Sequence, residues 1–216
     1  ILSGLVGSEM CIRDRHSTID NDTRLKLLEC VRTFNDIRTA EGNPYDSRCG
    51  HIKENGKVGV ITSEDFQTFL PQEYETIVVN TISNIVKEYV ETSPLLSTFK
   101  NPSFELFHIF YCIMEEGDFH TLHNHDSNYS KDKDRYGKLS GTIYLEVPKN
   151  LEWPQGNFSL IVENYINKEE TDNIWQRAPK AGDTVTWPSW MIHSAYPFRS
   201  KEQRILIGYN CEYKEG

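Results

Sequence analysis

The chain has 216 residues, of which 38% are hydrophobic and 25% are charged, and its formal net charge is −9 at pH 7. This length suffices for one domain with a sizeable core, and the composition is typical of a globular protein in water. The negative charge, the lack of a dense Lys/Arg tract and the lack of an apolar run of roughly 18 to 20 residues lead us to expect no nucleic-acid partner and no membrane partner.

The first fifteen residues, ILSGLVGSEMCIRDR, lack the leading positive charge and the cleavage site of a secretory signal. The segment SEMCIRDR resembles translated sequencing-adapter sequence. We therefore predict a non-native leader over 1–15 and a single domain over 16–216. The five cysteines form no CxxC pair and no dense disulfide framework, which favours a reducing compartment, so we expect a cytoplasmic protein.

Two helices are predicted within a helical part that covers about residues 20–95. The first begins after Asp22, a candidate N-cap, because apolar residues recur at spacings of three and four as far as Ile37. The second begins at Pro71 and has a continuous apolar stripe that ends at Ser93. The Gly-, Asn- and Pro-rich stretch 41–57 between them is predicted to be a loop.

After residue 102 the sequence changes to short runs rich in Phe, Tyr, Ile and Val, separated by Gly, Pro and Asn. This pattern is typical of an antiparallel sandwich or barrel and differs from alternating β-α units. We predict a mainly β fold in which a jelly roll, over about residues 102–213, packs against the N-terminal helices. The polar run 126–138 is predicted to be either a solvated loop or a mobile lid. The predicted strands are 104–114, 139–147, 157–162, 183–187, 192–196 and 203–213.

Three histidines and an aspartate lie within the segment His120-Thr-Leu-His123-Asn-His125-Asp126. On an extended strand, side chains two residues apart share a face, so His123 and His125 can bind one ion. A reactive metal needs at least a third ligand, and His193 is the only histidine after residue 125. A metal site is the preferred interpretation. The alternatives are a polar loop with solvated histidines and a His193 that caps the end of a strand.

The last predicted strand contains QRILIGYN, in which the period of two puts Arg204, Leu206, Gly208 and Asn210 on one face. The opposite face is predicted to pack on the helices. A buried arginine requires an anionic partner, and its planar guanidinium suits a carboxylate. The strand 139–147 also has a face with hydroxyl groups, which indicates a polar ligand inside the barrel or, alternatively, the exposed polar face of a sandwich. The residues on that face are Ser140, Thr142, Tyr144 and Glu146.

The ordered combination of H-N-H, SGTIYLEVP, a glycine, PKAGDTVTWPSWMIHSAYP and QRILIGYN resembles the iron- and 2-oxoglutarate-dependent dioxygenases. The resemblance is to the prolyl-hydroxylase-like branch, and to a bacterial and phage group within it, over about residues 104–212. It implies a double-stranded β-helix, which is a cupin-like jelly roll. It also implies Fe(2+) as the metal, 2-oxoglutarate as the cosubstrate and O2 as the oxidant.

The resemblance assigns roles to residues that match the family pattern. It implies that His123 is the first iron ligand, that His193 is the distal ligand, and that His125 stands where the family usually has Asp or Glu. Asp126 is the alternative carboxylate ligand, together with His123 or His120, although on an extended strand it faces away from His125 and needs a bulge or turn to reach the ion. The positions implied to bind the far carboxylate of 2-oxoglutarate are Arg204, Tyr144 and Ser140.

The implied activity is hydroxylation of an unidentified small-molecule or peptide substrate, coupled to oxidative decarboxylation of 2-oxoglutarate to succinate. H-N-H departs from the usual set of two histidines and one carboxylate, because it supplies a third neutral imidazole. Two alternatives therefore stay open. One is a three-histidine cupin metalloenzyme that uses no 2-oxoglutarate, and the other is a non-catalytic jelly-roll binding module.

Overall fold

Residues 15–40, 57–93, 96–125, 138–161 and 174–215 are described by the computed structural model. Several predicted features lie outside these residues. They are the predicted leader 1–15 except for Arg15, the predicted loop 41–57 except for Lys57, the alternative ligand Asp126, and the polar run 126–138 except for Lys138.

Helices precede most of the strands along the chain. The helices are α1 (Asn21–Ala40), α2 (Ser63–Thr68) and α3 (Gln72–Thr92), and a single 3-10 turn follows at Leu96–Thr98. The strands of the described residues are β1 (Arg15–Thr18), β2 (Lys57–Ile61), β3 (Ser103–Met114), β4 (His120–His123), β5 (Lys138–Glu146), β6 (Phe158–Ile161), β7 (Ile174–Arg177), β8 (Asp183–Pro188), β9 (His193–Ala195) and β10 (Arg204–Lys214).

The N-cap of helix α1 lies two residues before the predicted one. The carboxylate of Asp20 accepts hydrogen bonds from the backbone N–H and the hydroxyl of Thr23, at 2.9 and 2.7 Å. Asp20 is therefore the N-cap, and Asp22 lies in the first turn, where its charge is favourable to the helix dipole. The predicted apolar stripe is buried as expected, and it consists of Leu27, Leu28, Val31 and Phe34, together with Cys30.

Helix α3 confirms the second predicted helix. Pro71 takes the N-cap position and the helix proper begins at Gln72. Its stripe is buried from Tyr74 to Val90. The short helix α2 was not predicted from the sequence, although Thr62 and Asp65 carry its signal. They form a capping box in which each side chain accepts from the other residue's backbone N–H, at 3.2 and 2.7 Å.

The strands form two antiparallel sheets. One sheet has six strands in the order β1-β8-β5-β10-β3-β2, and the other has four strands in the order β4-β9-β6-β7. The prediction of a mainly β fold with N-terminal helices is confirmed. Strands β1, β2 and β7 were not predicted. The first two occupy the two edges of the six-stranded sheet, and β7 occupies one edge of the four-stranded sheet.

The strand β10 separates two hydrophobic clusters. Ile205, Ile207 and Tyr209 pack in the cluster that contains the buried residues of α1 and α3, which confirms the predicted helix-facing side of this strand. Leu206 points to the other side, into the cluster that includes Phe158 of the second sheet. Burial of each aliphatic side chain contributes about 1.5 to 3 kcal/mol, so both layers stabilise the sheet. No helix within the described residues has the length and apolar character to cross a bilayer.

Candidate metal site and cosubstrate pocket

Three histidines converge at the junction of strands β4 and β9. His123 ends β4 and His193 begins β9, and the two residues are direct partners in the antiparallel register. His125 follows β4 by two residues, and its backbone N–H donates to the carbonyl of Ser189 at 3.0 Å. One nitrogen from each of the three rings lies within 4.8 Å of the other two. Small side-chain rotations bring such a set onto one ion.

Hydrogen bonds to the second ring nitrogen indicate which atom of each histidine can bind a metal. Nδ1 of His123 lies 2.7 Å from the carbonyl oxygen of Thr121, and Nδ1 of His193 lies 3.1 Å from that of Met191. A carbonyl oxygen only accepts, so Nδ1 carries the proton in both rings and Nε2 is the nitrogen with a lone pair. This arrangement is the usual way in which proteins orient a histidine toward a metal.

The environment keeps His193 neutral. The side chain is 5% exposed, and burial lowers its pKa well below the usual value, with His123 and His125 as further causes. A metal binds the neutral imidazole, so burial prepares this ligand for the ion. The ring also packs against Trp187, with centroids 4.8 Å apart, and this contact fixes its plane.

The donor set fits a divalent transition metal. Imidazole nitrogens suit Fe, Zn, Cu and Ni, whereas Mg and Ca prefer oxygen ligands. Three neutral ligands leave the full charge of +2 on the ion, which favours anionic ligands at its remaining positions. Within the described residues, His123, His125 and His193 are the members of this ligand cluster.

A buried arginine lies at the start of β10. Arg204 is 1% exposed, and its guanidinium donates to the carbonyl oxygen of Gly156 at 2.9 Å and contacts Sδ of Met114 at 3.0 Å. The guanidinium also lies over the ring of Phe198, 5.3 Å from its centroid. Its Nε is buried and has no hydrogen-bond partner in the described part of the chain.

No carboxylate among the described residues forms an ion pair with Arg204. Burial lowers the pKa of the guanidinium, since desolvation disfavours the charged form. A buried cation of this kind is costly until an anion binds beside it. The arrangement is therefore suited to capture a carboxylate.

Tyr144 provides a second polar group near this arginine. It is 2% exposed on β5, opposite Leu206 of β10. Burial raises the pKa of its phenol, and the positive charge of Arg204 opposes part of that rise. The hydroxyl therefore stays protonated and can donate a hydrogen bond.

Ser140 lies beside His125, away from Arg204. The antiparallel register places Ser140 opposite Asn210, six residues along β10 from the arginine, which corresponds to roughly 20 Å of strand. Its hydroxyl lies 3.0 Å from Nδ1 of His125 and donates to Oδ1 of Asn210 at 2.7 Å. The role of Ser140 in binding 2-oxoglutarate stays a prediction, and this position does not support it.

The sequence interpretation gave His120 a role only in the alternative ligand set with Asp126. It lies on β4 opposite Ala195, and its Nε2 is buried without a hydrogen-bond partner in the described part of the chain. Burial lowers the pKa of His120 to about 3, with Arg204, His123 and His125 as further causes. A neutral imidazole therefore lies beside the histidine cluster, with its ring centroid 6.2 Å from that of His123.

Asn210 and His108 are also site residues that the sequence interpretation did not single out. The amide of Asn210 bridges Nδ1 of His125, at 2.6 Å, and Nδ1 of His108, at 3.0 Å. The only sequence signal was the period-two pattern, which put Asn210 on the same face of β10 as Arg204. Gly208 lies between them, and a side chain there would overlap the ring of Phe110. That ring packs edge-on against His125, with centroids 6.1 Å apart.

Comparison with known proteins places this site in a family. Residues 108–210 match the family described as "Putative 2OG-Fe(II) oxygenase". This range contains the three converging histidines, Tyr144 and Arg204. No curated protein sequence matches the chain.

Several solved structures share the fold. A prolyl-4-hydroxylase from Pseudomonas putida is 17% identical, with 91% of each chain covered and a TM-score of 0.54. The viral collagen prolyl hydroxylase of Paramecium Bursaria Chlorella virus-1, solved with 2OG, is 16% identical, with 94% of this chain and 98% of that chain covered and a TM-score of 0.50. The alpha-ketoglutarate-dependent carbocyclase SnoK from nogalamycin biosynthesis is 14% identical, with 92% and 79% covered and a TM-score of 0.62.

These findings confirm the resemblance that the motifs predicted. The resemblance rested on the order of three motifs along the chain. They are H-N-H, the strand that contains Tyr144 and the strand that contains Arg204. Residues 108–210 match the 2OG-Fe(II) oxygenase family, and the chain shares its fold with prolyl hydroxylases.

Proposed function

We propose that this protein is an Fe(2+)- and 2-oxoglutarate-dependent dioxygenase that hydroxylates a small-molecule or peptide substrate. The two sheets would form the double-stranded β-helix, or jelly roll, of that family. The observation that carries the proposal is the convergence of three imidazoles, which come from β4, from the segment directly after β4 and from β9. The same fold contains a buried arginine that has no ion-pair partner among the described residues.

In this proposal His123, His125 and His193 hold the iron through Nε2. Iron and 2-oxoglutarate together supply the activation of O2, with 2-oxoglutarate oxidised to succinate and carbon dioxide while the substrate is hydroxylated. The histidines need no proton exchange for this role, because each binds as a neutral ring. The carbonyl oxygens of Thr121 and Met191 keep the proton of two of them on Nδ1.

Arg204 and Tyr144 would bind the distal carboxylate of 2-oxoglutarate. The guanidinium offers its buried Nε, and the phenol offers a donor whose proton is retained because burial raises its pKa. Each hydrogen bond between a charged group and a carboxylate contributes about 1.5 to 3 kcal/mol. The dianionic cosubstrate would also balance the charge that three neutral ligands leave on the iron.

Apolar side chains around the site would exclude water. Met114, Phe158, Trp187 and Leu206 belong to one buried cluster, which also contains Tyr144. A dry environment strengthens the attraction between the arginine and a carboxylate, because the effective dielectric constant is lower than in water. Exclusion of water also protects reactive species from side reactions.

Anaerobic titration tests the proposal directly. The protein is loaded with Fe(2+), 2-oxoglutarate is added, and the visible spectrum is recorded for a metal-to-ligand charge-transfer band. We expect the band in the wild type. We expect no band in His193→Ala, which loses a metal ligand, and a band only at much higher cosubstrate concentration in Arg204→Met. Absence of the band in an iron-loaded wild type would overturn the proposal.

The third imidazole favours one second candidate, a three-histidine metalloenzyme that uses no 2-oxoglutarate. His125 occupies the position at which the family usually has a carboxylate, and cupins with three histidines bind their metal without a cosubstrate. The same titration separates the two candidates. Under the second one, Fe(2+) binds, 2-oxoglutarate produces no band, and Arg204→Met leaves the metal affinity and turnover unchanged.

A further inference from the structure

We propose that Asn210 is a positioning residue that holds the proton of His125 on Nδ1 and thereby directs Nε2 of His125 toward the metal. The inference rests on the proposed function in one respect, because it requires an ion at the three histidines. It concerns the one ligand in which this chain departs from the usual pattern of two histidines and a carboxylate.

The hydrogen-bond acceptor at Nδ1 of His125 differs in kind from the acceptors at Nδ1 of the other two histidines. His123 and His193 each use the backbone carbonyl two residues before them, and any amino-acid sequence provides that acceptor. His125 uses side chains from distant strands. Its Nδ1 lies 2.6 Å from Oδ1 of Asn210 on β10 and 3.0 Å from the hydroxyl oxygen of Ser140 on β5.

Hydrogen bonds on the other atoms of the amide fix its orientation. Oδ1 of Asn210 also accepts from the hydroxyl of Ser140 at 2.7 Å, and Nδ2 donates to Nδ1 of His108 at 3.0 Å. The hydroxyl of Ser140 is in turn paired with that of Ser189 at 2.8 Å. In this orientation the oxygen faces His125 and the nitrogen faces His108, and rotation of the amide by 180° would exchange donor and acceptor at both histidines.

This orientation matters because it selects the tautomer. With Oδ1 as its neighbour, Nδ1 of His125 carries the proton and Nε2 has the lone pair that a metal needs. If the amide nitrogen faced His125, Nδ1 would accept, the proton would move to Nε2, and that atom could not bind the ion. The role of Asn210 therefore requires no contact with the metal, because Asn210 acts through His125.

The surroundings of Asn210 support the same assignment. The register between β10 and β3 shifts between Asn210 and Cys211, where Phe107 of β3 is the extra residue of a bulge next to His108. Asn210 is 8% exposed and Ser140 is fully buried, so the amide and the hydroxyl are shielded from competing water. Hydrogen bonds in such an environment are strong and hold one geometry.

Metal binding by the apoprotein tests this role without reference to turnover. Co(2+) is titrated into the wild type and the variants Asn210→Leu, Asn210→Asp and Ser140→Ala, and the dissociation constant is measured from the visible absorption. We expect Asn210→Leu to weaken Co(2+) binding by about 10- to 100-fold, the usual effect of removing the partner of a metal-bound histidine. Asn210→Asp keeps an acceptor and should bind Co(2+) at least as tightly as the wild type.

Proton NMR of the Co(2+) protein provides a signature that general destabilisation does not produce. The Nδ1 protons of the three bound histidines should give three paramagnetically shifted signals that disappear in D2O. We expect Asn210→Leu to lose one of them, or to exchange it faster, while the other two persist. Asn210→Asp should keep all three.

Two variants serve as matched controls. Thr186→Val removes a buried hydroxyl that bonds to Tyr209 at 2.7 Å in the same sheet, and Ser159→Ala removes one that bonds to Ser194 at 2.7 Å in the other sheet. Neither residue contacts a site histidine by hydrogen bond, and we expect unchanged Co(2+) affinity.

Each outcome decides the inference. Wild-type affinity and three exchangeable signals in Asn210→Leu would overturn it and leave the proposed function standing. Failure of the wild type to bind Co(2+) would overturn both. If Asn210→Leu does not fold, Asn210→Asp decides, because loss of affinity in a variant that keeps the acceptor would contradict the role of Asn210.

Discussion

His123 and His193 face each other across the β4–β9 pair, with ring centroids 4.2 Å apart. A ladder pair of this kind holds two side chains on one face of a sheet at a fixed spacing. A bound ion would therefore stabilise the four-stranded sheet, because it would link the edge strand β4 to β9.

Metal should stabilise the folded protein, and His193→Ala should abolish that effect. A ligand that binds only the folded state adds about 2.7 kcal/mol to the free energy of unfolding at 100 times its Kd. Thermal unfolding with and without excess Co(2+) measures this difference. His16→Ala, which removes a histidine paired with Asp183 away from the cluster, is the control and should retain the full shift. An equal shift in His193→Ala would contradict the ligand assignment.

Arg204→Met should weaken 2-oxoglutarate binding by at least about 100-fold and cost the apoprotein no more than about 1 kcal/mol. Without a cosubstrate, the native arginine is a buried cation, and replacement of such charges by apolar side chains is often neutral or stabilising. Urea unfolding and calorimetric titration of the metal-loaded protein give the two values.

Arg24→Met is the matched control for that variant. Arg24 also donates to a backbone carbonyl, that of Leu145 at 2.7 Å, but it lies on α1. The affinity of the Arg24→Met variant for 2-oxoglutarate should equal that of the wild type. An apoprotein that loses several kcal/mol on Arg204→Met, with cosubstrate affinity unchanged, would assign the arginine to structure alone.

The stability of the apoprotein should fall as the pH drops below about 6.5. The pKa values of His120 and His193 are lowered in the folded state, to about 3 in the case of His120, mainly because of burial. The unfolded chain binds protons at these positions below pH 6.5 while the folded chain does not, so stability is present above that pH and is lost below it. The slope is up to about 1.4 kcal/mol per pH unit for each histidine.

Urea unfolding in the presence of a chelator, between pH 8 and 5, measures this slope. The double variant His120→Asn, His193→Asn should give a clearly shallower dependence. A wild type whose stability is flat or rises toward pH 5 would contradict the burial of these two rings in the neutral form.

Gly208→Ala should destabilise the protein by about 1 to 3 kcal/mol, because the new methyl group would overlap the ring of Phe110. That ring packs against His125, so metal affinity should fall in parallel. Addition of Phe110→Leu should restore part of both losses, and a double-mutant cycle measures the coupling. Strict additivity of the two substitutions would show that the predicted contact is absent.

The histidine cluster could be predicted from the sequence because its prediction needed only local information. Two histidines separated by one residue share a face of an extended segment, and His193 was the only histidine further along the chain. The arginine was found by the same period-two reasoning on β10, which the burial of Ile205 and Ile207 against the helices confirms.

The partners of these residues depend on register, which a single sequence does not determine. Ser140 and Tyr144 share one face of β5, yet the register places Ser140 opposite Asn210 and Tyr144 opposite Leu206. Pattern alone treated the two hydroxyls as equivalent, whereas the pairing puts one beside His125 and the other near the arginine. The edge strands β1 and β2 were missed for a related reason, since both are short and acquire their structure from β8 and β3.

An anaerobic crystal structure with Fe(2+) and 2-oxoglutarate tests the central claim most directly. The account predicts one ion bound by Nε2 of His123, His125 and His193 at about 2.1 Å, and a cosubstrate whose distal carboxylate is hydrogen-bonded to Arg204 and Tyr144. An ion held by other residues, or a 2-oxoglutarate molecule that leaves Arg204 without a carboxylate, would contradict it.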